Sequence, residues 1–150
     1  MAELDNRSIA IQQFNRCWEI LDQAERTEAD LRELLQAAFT SRYHWLQVGN
    51  ERNWIISDWM VSRALAYNAC AGLALNFAKS ANEAAWASEQ PDWLRASVAE
   101  GILRAVIALG DTTEIDGWKL RAQELVDNIS IPEEKSVISK QLEETLRNIS

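Results

Sequence analysis

The chain has 150 residues, of which 47% are apolar and 25% charged, so it is about one domain long, can bury a core, and is not of disordered composition. Five glycines and two prolines are too few for the turns of an all-β fold. The formal charge of −8, with an acid excess in both halves, argues against a nucleic-acid binder and against docking on an anionic membrane. Alanine, leucine, glutamate, glutamine and arginine dominate, and these are strong helix formers. All-α is the expected class, as a single domain over residues 1–150.

Hydrophobic spacing predicts seven helices. The first, near Glu3 to Gln23, carries Leu4, Ile11, Phe14, Trp18 and Leu21 on one stripe. The second opens at Thr27, whose hydroxyl can cap a first turn containing Glu28 and Asp30. Its stripe is Leu31, Leu34, Leu35, Ala38 and Trp45, and it should stop at Val48-Gly49. The third is expected from Glu51 to Ala71, ending at Gly72, and the fourth from Leu73 to Glu89, stopped by Gln90-Pro91.

Asp92 should cap the fifth helix, which ends at Gly110 and carries Leu94, Val98, Ile102, Ala105 and Leu109. Asp111 should cap the sixth, with its stripe of Ile115, Trp118, Ala122, Leu125 and Ile129. Ser130-Ile131-Pro132-Glu133 opens the seventh, with Ile138, Leu142 and Leu146 facing inward. Short connections make consecutive helices antiparallel. Cys17 and Cys70 both fall inside helical patterns and read as two buried thiols. The acidic opening Met-Ala-Glu-Leu-Asp-Asn-Arg has no apolar signal segment, and the longest uncharged run, Ala64 to Ala78, is too short for a bilayer. A cytoplasmic location is expected.

Two features favour stacked hairpins over a closed bundle. Ser62 to Gly72 overlays on Glu100 to Gly110 without gaps, and each stretch ends in a glycine. A second echo, Asp58-Trp59-Met60 against Asp92-Trp93-Leu94, has a different offset, so the repeat is degenerate. Fourteen alanines lie between Ala64 and Ala108, and Ala74, Ala78, Ala81 and Ala85 are spaced to let helix axes approach closely. Tyr43-His44-Trp45, Val48-Gly49, Trp59, Ser62-Arg63, the Gly72 turn, the Ala-rich fourth helix, Asp92 and Gly110-Asp111 resemble an uncharacterised family of bacterial tetratricopeptide-like proteins. The resemblance covers about half of the chain. It implies an α-α superhelix of antiparallel helical hairpins and no established activity. Leu65 or Leu103, and Phe77 or Ile115, stand where the standard tetratricopeptide pattern has small residues.

Enzyme readings fail on inventory. His44 is the single histidine, has no glutamate three residues before it, and the cysteines are not in a C-x-x-C arrangement, so no metal site is expected. There is no nucleophile elbow, phosphate loop or dinucleotide fingerprint, and no catalytic residue or cofactor is assigned. Seven tryptophans remain to be explained. Trp18 and Trp118 lie on core stripes, whereas Trp45, Trp54 and Trp59 flank one turn beside Tyr43 and His44. Trp59 and Arg63 are four apart, so a guanidinium can lie over the indole. Tyr43, His44, Trp45, Trp54, Trp59 and Arg63 are therefore the candidate binding residues. The expected function is a non-enzymatic interaction or scaffold module for a protein or peptide, a second copy in a homodimer included. The alternative is a small-ligand sensor or carrier with a Trp-lined pocket between helices.

Overall fold

The computed structural model describes residues 5–147. Among them are seven helices and no strand: α1 (Asn6–Leu21), α2 (Glu28–Val48), α3 (Glu51–Tyr67), α4 (Ala71–Ala87), α5 (Asp92–Leu109), α6 (Thr112–Asp127) and α7 (Pro132–Arg147). The class expected from composition and spacing is the one found. Glu3 and Leu4 lie outside the described residues.

Each helix packs on the next, and the odd helices also pack on one another, α3 on α5 and α5 on α7. This is a stack of antiparallel hairpins with α5 at its centre, and α5 buries Leu94 and every residue from Ala96 to Val106. Helices α3 and α5 begin at Glu51 and Asp92, α4 and α6 at Ala71 and Thr112, so both steps are 41 residues. That step is longer than the period of about 34 residues in a tetratricopeptide repeat.

Local chemistry accounts for most boundaries. Thr27 accepts from the Asp30 backbone N–H while the Asp30 carboxylate accepts from Thr27, a complete capping box. Asn50 and Asn53 do the same for α3, and Asp111 caps α6 through Thr113. Gly110 ends α5 in the left-handed region at φ 77°. Gly49 is needed for a different reason. Its backbone is extended, but a Cβ there would stand 2.6 Å from the Trp45 carbonyl oxygen and 2.9 Å from Asn53 Cβ.

Three expectations are corrected. Helix α3 ends at Tyr67 with Asn68 as its cap, not at Gly72. The Asn68 amide donates to the carbonyls of Ala64 and Leu31, which fixes that helix end against α2, and Ala69 turns the chain at φ 59°. Gly72 lies in the first turn of α4, and space for a Cβ there is open. Asp92 is the first residue of α5 rather than its cap, because extended Pro91 takes the cap position without offering a side-chain hydrogen bond. Cys70 is exposed at the cap of α4, so only Cys17 is a core thiol.

Ala74, Ala78, Ala81 and Ala85 are all buried, and Ser62 Oγ donates 2.7 Å to the Ala74 carbonyl, so α3 and α4 meet along small side chains. One continuous core runs through all seven helices. Burial pushes the Cys17 thiol up to about 12, far from the thiolate that reacts with alkylating reagents. Native labelling with a maleimide should therefore modify one thiol, Cys70. A second should react only on unfolding in denaturant, without reductant, and rapid native modification of both would contradict the packing of α1.

Candidate functional site

The thirteenth residues of the four odd helices form a ladder: Trp18 on α1, Arg63 on α3, Arg104 on α5 and Glu144 on α7. Because α5 packs against both α3 and α7, equal register brings these side chains together on one face of the stack. Around them lie Trp59 and Tyr67 on α3, Glu100 on α5 and Thr145 on α7.

Arg63 is the centre of the group. Only 3% of its surface is exposed, and its guanidinium carbon lies 5.2 Å from the Trp18 ring centroid and 5.6 Å from that of Trp59. The two indoles are themselves 5.9 Å apart. Cation–π attraction holds the charge without hydrogen bonds. Trp59 is fixed in turn by donating its Nε1–H 3.0 Å to the Ser97 carbonyl, and its ring lies against Gly101, where a Cβ would come within 3.1 Å of Trp59 Cδ1.

Arg104 donates through Nη2 to the fully buried Glu100 carboxylate, which also accepts from the Thr145 hydroxyl. Arg63 makes no bond to this carboxylate and feels it only through space. The carboxylate in ion-pair range of Arg63 is that of Glu144, 3.9 Å from Nη2 and 59% exposed. Among the described residues, Nε and Nη1 of Arg63, Nη1 of Arg104, Oε2 of Glu100 and Oε1 of Gln141 are buried without a hydrogen-bond partner, so three donors face two acceptors. Burial first, then the like charge of Arg104, depresses Arg63 to about 10, against the attraction of Glu100, Tyr67 and Glu144. At neutral pH it is still charged in folded and unfolded chain alike, so its burial costs stability throughout that range.

The ladder opens on solvent through two adjoining cavities that share Arg63, Tyr67 and Glu144. One, of about 290 Å³, lies between α3, α5 and α7; the other, of about 760 Å³, extends toward α1 and the α1–α2 turn. Together they form a trough whose walls carry Arg26, Arg63, Arg104, Lys140 and Arg147 against Asp22 and Glu144. A chain with 15 basic and 23 acidic residues reverses its sign here.

The six residues singled out by sequence do not form one site. Trp59 and Arg63 stack as their spacing suggested and belong to the ladder. Trp45 and Trp54 sit at the opposite end of α3, with Trp54 Nε1 donating 3.0 Å to the Trp45 carbonyl and Arg7 over the Trp45 ring. Tyr43 is exposed and edge-on to His44, whose Nδ1 is 2.7 Å from Asn6 Oδ1. Trp54, half-exposed, borders a separate shallow cavity between α3 and α4. Trp18, read as core alone, also lines the trough.

Arg104, Glu100, Glu144 and Thr145 were not anticipated. Their signal was the pairing of Glu100 with Arg104 inside the otherwise apolar stretch Val98 to Leu109, together with Arg63 and Arg104 lying one 41-residue step apart. Among the described residues no group of three or more His, Cys, Asp or Glu side chains converges, and no helix is long and apolar enough to cross a membrane. Comparison with protein-family models, with curated proteins and with solved structures found no match.

Proposed function

We propose that the chain is a non-enzymatic, tetratricopeptide-like interaction module, cytoplasmic in setting, whose trough receives a segment of a partner protein. The observation that carries this reading is the open trough itself, floored by buried arginines with unused N–H groups. Those groups are held in place before any partner arrives, so little ordering is left for binding to bring about. A ligand carrier would need an enclosed apolar cavity, and here the two cavities join and open along the stack.

The test is selection from a displayed random dodecapeptide library with the full chain as bait. Ala108 is exposed and borders the smaller cavity, so Ala108→Trp fills that space without altering charge or core. Selected peptides should lose at least about tenfold in affinity for Ala108→Trp, the scale of one interfacial hot spot. They should keep full affinity for Trp54→Ala. A library that yields nothing, or peptides sensitive to Trp54→Ala and indifferent to Ala108→Trp, overturns the reading.

A further inference from the structure

The charge count of the ladder identifies what kind of segment the trough accepts. Arg63 and Arg104 together carry two positive charges and Glu100 returns one, which leaves one positive charge without a buried counter-charge. Glu144 supplies the second negative charge only through a loose, exposed ion pair. At 3.9 Å from Arg63 Nη2 it makes no hydrogen bond to that group, and most of its own surface is in water. A weak, solvent-exposed pair of this kind contributes little and is readily exchanged. A hydrogen-bonded carboxylate would gain more from the same guanidinium, because charge-assisted bonds are shorter and stronger where water is scarce.

We infer that the trough binds an acidic peptide segment, one side-chain carboxylate of which displaces Glu144 and seats against Arg63 and Arg104. The inference rests on the partner-segment reading above and supplies the chemistry of the segment. One excess positive charge matches the single charge of a carboxylate, whereas a phosphate dianion would leave the site overfilled. Lys140 and Arg147 on the rim then meet neighbouring acidic side chains of the segment. Gln141 Oε1, buried and unpartnered among the described residues, can accept from a backbone N–H of an extended chain. The depressed Arg63 fits this arrangement, since a carboxylate brought beside it offsets the hydration that burial removed.

The probe is amidated hexaglutamate carrying an N-terminal fluorescein, followed by anisotropy at low salt, with amidated hexaglutamine as the neutral control. Hexaglutamate should bind the full-length protein, and hexaglutamine should not. Arg63→Gln should weaken binding at least about tenfold, as expected when a buried charged partner is lost. Because Arg63→Gln can also disturb the fold, the deciding variant is Glu144→Gln, an exposed position. Removing the resident competitor should tighten hexaglutamate binding by roughly two- to fivefold, the scale of a surface pair. Ala108→Trp should abolish it.

Hexaglutamate binding equally to the native protein, Glu144→Gln and Ala108→Trp would show a diffuse attraction to the rim and overturn the inference. If displayed peptides selected for the trough prove free of acidic residues and hexaglutamate fails to bind, the inference falls while the partner-segment reading stands. If neither probe binds, both fall.

Discussion

Glu100→Gln should lower stability by about 3–5 kcal/mol, because it removes one partner of a buried ion pair and leaves two guanidinium groups facing each other. The side chain is fully buried and is the hydrogen-bond acceptor for both Arg104 and Thr145. Glutamine keeps the shape and still accepts from Thr145, so the loss isolates charge. In a protein of this size the melting temperature should fall by roughly 6–20 °C. Adding Arg104→Met should restore more than half of the loss, since removing the second charge is far less costly than leaving it unpaired. Urea unfolding of the single and double variants measures both effects. If Glu100→Gln is as stable as the native protein, Glu100 is not the counter-ion of this cluster.

Trp59→Ala should cost about 3–5 kcal/mol, the usual range for emptying a buried aromatic site. Trp59 is 6% exposed, packs on Gly101 and Trp18, and bonds the Ser97 carbonyl. Trp59→Phe should cost less, because it keeps much of the ring volume and gives up the indole N–H bond, worth about 1 kcal/mol. The two variants should also differ at the site. Phenylalanine still offers Arg63 an aromatic face, whereas alanine leaves only Trp18. The hexaglutamate assay on Trp59→Phe should therefore stay close to native. A Trp59→Ala protein that melts at the native temperature would show that α3 and α5 do not close on this ring.

The helices were legible because their signals are local. Caps at Thr27 and Asp111, the left-handed Gly110 and the apolar stripes all act within a few residues of where they are read. The end of α3 was misplaced because glycine is the usual signal past a helix, whereas Asn68 and Ala69 make the turn here. That error of a few residues had a larger consequence. It aligned Gly72 with Gly110 and so set the repeat offset at 38 residues, when the helices themselves repeat at 41. At the correct step Arg63 meets Arg104, but at the wrong one the pairing disappears. Trp59 and Arg63 were found because four-residue spacing on one helix is visible in sequence. Trp54 is only five residues before Trp59 on α3, about 7.5 Å along the axis, but at about 100° per residue it points to a different face, and Trp45 lies beside it at the end of α2. Nearness to a turn therefore did not mean a shared surface.

The ladder of thirteenth residues divides the stack into positions with different freedom to change. Arg63 and Arg104, at its two middle rungs, are locked: each is buried, and altering either shifts a charge balance that the core must bear. Glu144, at the last rung, is exposed and tied to the fold far less tightly, whereas Trp18, at the first, reaches solvent but stacks on Arg63 and Trp59. One residue per odd-numbered helix thus writes a short word across the stack, its first three letters held by packing and its last open to revision. A single substitution at Glu144 can rewrite what the face recognises while leaving the architecture beneath it unchanged.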